Sequence, residues 1–451
     1  MKKHITINNF LSFIAAICIV LWTLSPILVM YRNYKTQGLV SVLYEQQAIT
    51  TYWLWLFMLM APGALGLIVG LIYLIRRFIK SSLSGKEKVS VLLPFWLLIV
   101  FFLWCTINTF FFAEDTQLAL NGQLIQMDCL LVYLCYGGLI FAGITVARSK
   151  VMSIVCTWVF LALAEFMAVV SIIDNQFTYD IFVNSVTNIF HYQGIFYNTN
   201  YYGYFLTMTI IISACMFETR PNIIERILAS IVFLTNSWMI FLNDTFGGFL
   251  TVIITLSLAV IWSFVNKEEC KFRTLIALIA FVIVALVSLI PSTPTSEVLK
   301  GDVKQVSDDI ATISSVNPTE SDTNKVGHNR LGRWKDTISF IKEKPLVGHG
   351  LQSIEDYTTH NIYLQQAAYT GIIGLLLFVS IFITGLIRLI KDRENMTTLT
   401  RGAMFTVLAY MMALFVGNTL FCTAGYFYVI VGFCFAGALR KILIDKKKEN
   451  A

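Results

Sequence analysis

Long apolar runs occupy most of this 451-residue chain and constrain its fold more than any other feature. Hydrophobic residues make up 57% of the sequence, charged residues only 13%, and the mean hydropathy is +0.71. A soluble domain carries about 25% charged residues, whereas a run of about 20 apolar residues crosses the hydrocarbon core of a membrane as a helix. The composition excludes a soluble enzyme, a nucleic-acid-binding domain, a secreted disulfide scaffold and a disordered chain. It predicts an all-α polytopic membrane protein.

The apolar runs predict twelve transmembrane helices and one large loop between the ninth and the tenth. The predicted spans are 10–30, 53–75, 91–112, 129–147, 151–173, 201–217, 227–242, 247–265, 274–290, 361–386, 402–420 and 425–443. The chain therefore divides into residues 1–291 with nine spans, the loop 292–360, and residues 361–451 with three spans and a tail.

The distribution of Lys and Arg predicts the orientation of these spans. If the N-terminus is cytoplasmic, the inner segments hold 23 of the 33 basic residues, and most of the others fall in the long loop. Short cytoplasmic loops of membrane proteins carry the excess of Lys and Arg. Both termini are thus predicted to be cytoplasmic and the large loop extracytoplasmic. Topology alone accounts for the net charge of +6, so no nucleic-acid partner is indicated.

The two halves of the large loop differ in character. Residues 292–324 are rich in Ser, Thr and Asp and predict a mobile lid. Further along, the spacing of Leu331, Trp334, Ile338 and Ile341 predicts an amphipathic helix over about 330–344, ended by Pro345. Such a helix would lie on the outer membrane surface with its apolar side down, unless it is simply a charged, solvated surface helix.

His360 stands where the tenth span begins, followed by Asn361, Gly371 and Gly374. A single histidine at a membrane boundary is more often structural than catalytic, but the basic helix nearby makes this one a candidate general base. The two glycines by themselves indicate only close helix packing.

Taken together, these residues resemble a known family. The resemblance rests on Arg330-Leu-Gly-Arg-Trp334, on Pro345-Leu-Val-Gly348-His-Gly350, and on His360-Asn361 with Gly371 and Gly374 behind them. This pattern is similar to that of the O-antigen ligase/polymerase superfamily, which comprises bacterial GT-C-like membrane glycosyltransferases with about twelve spans and one large extracytoplasmic loop. Asn198-Thr-Asn200 resembles the family's Asn-rich stretch before the sixth span.

The resemblance implies a reaction and a set of roles. The family transfers a glycan from undecaprenyl diphosphate to a sugar hydroxyl at the outer face of the bacterial cytoplasmic membrane. His360 and Arg330 are then the expected catalytic residues, as base and diphosphate ligand. The expected substrate-binding residues are Asn200, Asp244, Arg333, Trp334, Lys335 and Asn361. No metal or other cofactor is expected; the expected partners are the lipid-linked oligosaccharide, membrane lipid, and a chain-length regulator and flippase of the same pathway.

One departure from the family concerns its second arginine. The family has a Ser-Arg-Gly-like element between spans seven and eight, where this chain reads Thr245-Phe246-Gly247-Gly248. Either Arg333, Lys335 or another cation replaces that arginine, or the substrate is handled differently. Asp244 beside it could instead cap the eighth span, and Glu165 in the fifth span is either a functional acid or a partner of a neighbouring helix.

Three functions remain open at this stage. A polymerase of lipid-linked repeat units for a surface polysaccharide is favoured, because richness in Lys, Asn and Ile is associated with bacteria that lack lipopolysaccharide. A ligase that moves finished glycan to a lipid or protein acceptor is the alternative. A flippase or transporter is less favoured, because the sequence shows no repeated halves.

Overall fold

The computed structural model describes most of the chain. The described residues are 6–36, 44–81, 84–85, 89, 91–122, 127–177, 196, 199–243, 245–288, 290, 304, 330–353, 359–418 and 420–439. The predicted lid at 292–324, apart from Lys304, and the predicted substrate ligand Asp244 lie outside them.

Helices account for almost all of this part of the chain, and no strand occurs in it. The helices are α1 (Ile7–Thr36), α2 (Tyr44–Lys80), α3 (Leu93–Phe111), α4 (Thr116–Asn121), α5 (Leu130–Ala147), α6 (Lys150–Phe177), α7 (Thr199–Thr219), α8 (Ile223–Leu242), α9 (Phe246–Val265), α10 (Lys271–Ser288), α11 (Arg330–Glu343), α12 (Ile362–Lys391), α13 (Thr398–Ala413) and α14 (Phe421–Ala438).

Eleven of these helices are long and apolar enough to cross a membrane, which confirms a polytopic membrane protein. The eleventh predicted span, 402–420, is the exception. Its helix, α13, has 16 residues, or about 24 Å at 1.5 Å per residue, and the chain then turns before α14. Leu414, Asn418 and Leu420 in this connection are buried, so the protein itself shields backbone that lipid could not hydrate.

The centre of the bundle is formed by α5 and α14, whose residues are almost all buried. They approach so closely that a Cβ on Gly432 would lie 2.3 Å from the carbonyl oxygen of Ile140. Apolar side chains on the outward faces of α3, α8 and α10 remain exposed in the isolated chain, as expected for helices that face lipid.

Several contacts define one end of the bundle, here named the His360 end. The Thr245 hydroxyl, before α9, donates to the Thr199 carbonyl at the start of α7, 3.0 Å away. The Gln365 amide near the start of α12 donates to Asp128, just before α5, at 2.6 Å. The Ile362 amide at the start of α12 donates to the Leu414 carbonyl at 3.1 Å, and Gly417, three residues further on, lies against the Tyr204 hydroxyl of α7. The starts of α5, α7, α9 and α12 therefore lie together, and the ends of α7 and α9 lie at the opposite end.

The tenth predicted span, 361–386, is not one continuous helix. Gly371 has φ +69° and ψ 178°, a conformation essentially restricted to glycine, and it breaks α12 into two halves. A Cβ on Gly371 would lie 2.0 Å from the carbonyl oxygen of Leu346. Gly371 thus has a specific backbone role that exceeds the helix packing inferred from sequence.

The segment 345–350 fills this break and satisfies the backbone groups that it frees. The amides of His349 and Gly350 donate to the carbonyls of Ala368 and Tyr369, each at 2.9 Å. The indole of Trp104 donates to the Thr370 carbonyl at 2.8 Å. The two amide bonds anchor the chain between α11 and α12 to the first half of α12, and the indole bond joins α3 to it.

Candidate active site

The helix α11 begins at Arg330 and ends at Glu343, where the sequence pattern predicts a helix over about 330–344. It packs on α12, with Thr337 as its fully buried residue. Ile338, by contrast, is 41% exposed. Thr337 rather than Ile338 thus faces the protein, and the placement of the apolar side on the membrane surface stays a prediction.

Trp334 and Thr337 fix the residue that precedes His360. The Trp334 indole N–H donates to the Thr359 carbonyl at 3.0 Å, and the two threonine hydroxyls are 3.4 Å apart. The Trp334 ring also packs edge-on against Phe415 between α13 and α14, with 6.3 Å between centroids. Trp334 thus positions the loop that carries His360, and its predicted contact with substrate stays a prediction.

His360 lies directly before α12 and adopts a left-handed backbone conformation, with φ +51°. This conformation costs a residue with a Cβ about 1–2 kcal/mol, and such outliers persist where surrounding structure enforces them, often at functional sites. Asn361 supplies part of that enforcement. Its side-chain oxygen accepts from the amides of Tyr363 at 3.0 Å and Leu364 at 3.1 Å, which makes it the N-cap of α12.

Two arginines act on the His360 ring. Burial and the nearby guanidinium groups of Arg330 and Arg333 together lower the pKa of His360 to about 4. The ring is consequently neutral at pH 7 and can accept a proton. Arg330 also interacts electrostatically with the Tyr204 hydroxyl of α7, so the site reaches from α11 and α12 to the start of α7.

The other predicted residues are distributed unevenly around this site. Lys335 is exposed on α11 and is not among the groups that shift the pKa of His360. Asn200 lies in the first turn of α7, at the same end of the bundle. Glu165 lies in the middle of α6 and hydrogen-bonds to Thr235 of the neighbouring α8, while a role as a functional acid stays a prediction.

A histidine that the sequence analysis did not single out joins α11 to the rest of the bundle. His349, only 3% exposed, places its Nδ1 2.8 Å from Glu114 Oε1 and its Nε2 2.9 Å from the Phe340 carbonyl. Lys344 Nζ lies 2.8 Å from the same carboxylate oxygen, and these two partners lower the pKa of Glu114. Glu114 lies 235 positions from His349, so the sequence does not indicate that they meet. The glycines on either side of His349 are the only local signal of an unusual backbone there.

The fold and the site define a class: a multi-pass membrane protein with a neutral histidine near two arginines at one end of its bundle. The O-antigen ligase family model matches residues 231–379, which include α11, His360 and the break in α12. The resemblance to the O-antigen ligase/polymerase superfamily is thereby confirmed over these residues. The function of the protein is accordingly of the ligase/polymerase type. A comparison with curated proteins finds no match.

Proposed function

We propose that this protein is a polymerase that joins undecaprenyl-diphosphate-linked oligosaccharide repeat units into a surface polysaccharide. The reaction would take place at the outer face of the bacterial cytoplasmic membrane, with both termini in the cytoplasm. The excess of Lys and Arg in the segments at the opposite end of the bundle supports this orientation of the His360 end.

The observation that carries the proposal is the pairing of a neutral imidazole with two guanidinium groups. The acceptor sugar hydroxyl gives its proton to a ring nitrogen of His360 as its oxygen bonds to the anomeric carbon of the donor. The bond between that carbon and the phosphate oxygen breaks, and the lipid diphosphate leaves with its charge held by Arg330 and Arg333. Because guanidinium groups meet that charge, the proposal requires no metal ion.

Arg333 is the best replacement for the arginine that is missing at Phe246. It follows Arg330 by three positions on α11, so both side chains lie on one face of the helix. Both lower the pKa of His360, whereas Lys335 does not contribute. Arg330 and Arg333, both on α11, would then bind the lipid diphosphate together. In other members of the family the two arginines that bind it lie on two different elements.

Donor binding would also strengthen the base. A pKa of about 4 makes the free imidazole a weak base, and the two nearby positive charges are part of the reason. The diphosphate brings negative charge to the same guanidinium groups, which raises the pKa of His360 toward its ordinary value. The base would therefore become effective only once the donor is in place, which limits wasteful hydrolysis.

The experiment compares purified variants with a lipid-linked repeat unit as substrate and polymer length as readout. His360→Ala and Arg330→Ala are each expected to lower transfer by at least about 100-fold with unchanged amounts of protein. Arg330→Lys should fail as well, because it cannot bind phosphate in two places at once. The matched control is Lys342→Ala, an exposed cation in the last turn of α11. Wild-type ladders from His360→Ala would refute the proposal.

A deletion strain separates the three functions. Single repeat units that accumulate on lipid indicate a polymerase, and full-length polymer that accumulates on lipid indicates a ligase. Repeat units trapped on the cytoplasmic leaflet would indicate a flippase and overturn both.

A further inference from the structure

A carboxyl group and an amide meet in the interior of the His360 end. Asp128, just before α5, and Gln365, in the first turns of α12, are each 3% exposed. The Gln365 Nε2 donates to Asp128 Oδ2 at 2.6 Å and lies 3.3 Å from the Tyr369 hydroxyl. The contact joins α5 to the half of α12 that starts beside His360.

Within the described part of the chain, the two remaining oxygens of this pair have no donor. Among the described residues, nothing donates to Asp128 Oδ1 or to Gln365 Oε1, and both atoms are buried. A buried acceptor without a donor costs about 1–3 kcal/mol. One proton on Asp128 Oδ1 removes both deficits, because a carboxylic acid and a primary amide are complementary: the amide N–H bonds to one carboxyl oxygen and the carboxyl O–H bonds to the amide oxygen.

The surroundings of Asp128 favour that proton. Burial raises the pKa of Asp128 to about 7, opposed only by the bond from Gln365. The titratable groups that interact with it from α5, α12 and α14 are a thiol and phenols, all neutral at pH 7. They are Cys129, Tyr133, Tyr136, Tyr369 and Tyr428.

We propose that Asp128 is held as a neutral carboxylic acid, paired with Gln365 through two hydrogen bonds, and that this pair positions the first half of α12 and with it His360. Asp128 is thus a positioning residue. Its effect on glycan transfer rests on the function proposed above, whereas its protonation does not. A second bond between the same elements, from the Tyr133 hydroxyl to Gln366 Oε1 at 3.0 Å, aligns the pair.

The pair makes the site sensitive to alkaline pH. The pKa of Asp128 in the folded protein lies above its ordinary value of 3.8, so the stabilisation is complete below about pH 3.8 and is lost as the pH rises through about 7. Ionisation of Asp128 removes the hydrogen bond from its O–H to Gln365 Oε1. It also places a negatively charged carboxylate next to that amide oxygen, which is unfavourable. Because His360 of the free enzyme becomes neutral above about pH 4, kcat/KM for transfer should follow a bell-shaped curve whose alkaline limb belongs to Asp128.

The first test is the pH profile of Asp128→Asn, whose neutral amide can make both bonds with Gln365. Wild-type transfer is expected to fall about tenfold per pH unit above the pKa of Asp128, while Asp128→Asn stays within about twofold of its neutral-pH rate. Asp115→Asn, the same change at an exposed acid near the same end, should keep the wild-type alkaline limb. An Asp128→Asn profile that superimposes on the wild type, or an inactive Asp128→Asn variant with normal protein amounts, overturns the proposal.

The second test does not depend on transfer. Infrared spectra of the wild type and of Asp128→Asn at about pH 5.5 should differ by the C=O stretch of one protonated carboxyl group, and this band should titrate away near the pKa of Asp128. The same band is expected in inactive His360→Ala. Absence of the band refutes the acid–amide pair even if transfer is confirmed, whereas its presence in a protein that transfers no glycan refutes the polymerase alone.

Discussion

The positive charge of Arg333 near His360 should affect the pH dependence of glycan transfer. Arg333 helps to lower the pKa of His360, so Arg333→Gln is expected to raise that pKa toward its ordinary value. The acid limb of kcat/KM, which reports the free enzyme, then shifts to higher pH. Transfer itself should fall by about 10–100-fold, because a charge-assisted contact to the diphosphate is worth about 1.5–3 kcal/mol.

Lys335→Gln is the matched control for this prediction. It removes one positive charge from the same helix, two residues away, at a position that does not act on His360. If both substitutions move the acid limb equally, the effect is long-range charge and Arg333 has no special place beside the ring.

The indole of Trp334 gives a second prediction at the scale of one residue. Trp334→Phe keeps an aromatic ring against Phe415 but leaves the buried Thr359 carbonyl without its donor. The loss of about 1–2 kcal/mol should loosen His360 and lower kcat by about 5–30-fold with little change in KM. Trp238→Phe, at an exposed position on α8, should leave both constants unchanged. A raised KM with normal kcat would instead mean that Trp334 contacts substrate.

Among the elements, the broken helix α12 depends most on a single residue. Gly371→Ala would require both a glycine-only backbone conformation and a Cβ 2.0 Å from the Leu346 carbonyl. We expect a loss of at least about 3 kcal/mol in stability, measured as the melting temperature in detergent. At Gly85 a Cβ would meet nothing within 4 Å, so Gly85→Ala should be tolerated. An unchanged melting temperature for Gly371→Ala would contradict the docking of segment 345–350.

The sequence predicts the continuous apolar helices well. It predicts poorly the places where a helix ends or breaks inside the protein. Hydropathy locates every long helix because lipid demands apolar runs, but it extends span 402–420 beyond Ala413, since the buried turn after α13 is as apolar as a helix. The break at Gly371 is hidden for the same reason. Its glycine is visible, but the segment that fills the break precedes it in sequence by about twenty positions.

The candidate site shows the same limit. Arg330, Arg333 and His360 form recognisable patterns because they are charged or titratable residues near an apolar boundary. Asn361 is predicted from the motif to bind substrate, but its role as the N-cap of α12 could not be foreseen from the motif. Asp128 and Gln365 are 237 positions apart, and an acid that precedes a span is ordinary for a membrane protein, so nothing in the sequence indicates that they meet.

At the scale of the whole molecule, a buried ion cluster closes the end of the bundle opposite His360. Arg401 of α13, 5% exposed, pairs with Glu218 of α7 and contacts Glu268, between α9 and α10, at 3.2 Å. Its Nη2 also donates to the Ser263 hydroxyl of α9 at 2.8 Å and to the Thr274 hydroxyl of α10 at 3.5 Å. Four helices are thereby joined at one guanidinium, far from the chemistry proposed for the other end.

This separation predicts that stability and transfer can be changed independently. Arg401→Met leaves Glu218 buried without its partner and should cost about 3–5 kcal/mol, seen as a lower melting temperature and less protein in the membrane. Adding Glu218→Gln removes the stranded charge and should restore much of the loss, while Lys391→Met, an exposed cation at the same end, should have no effect. Because the cluster does not touch the His360 end, kcat per folded molecule and its pH profile should match the wild type in every variant. A changed pH profile in Arg401→Met would show instead that the two ends of the bundle are coupled.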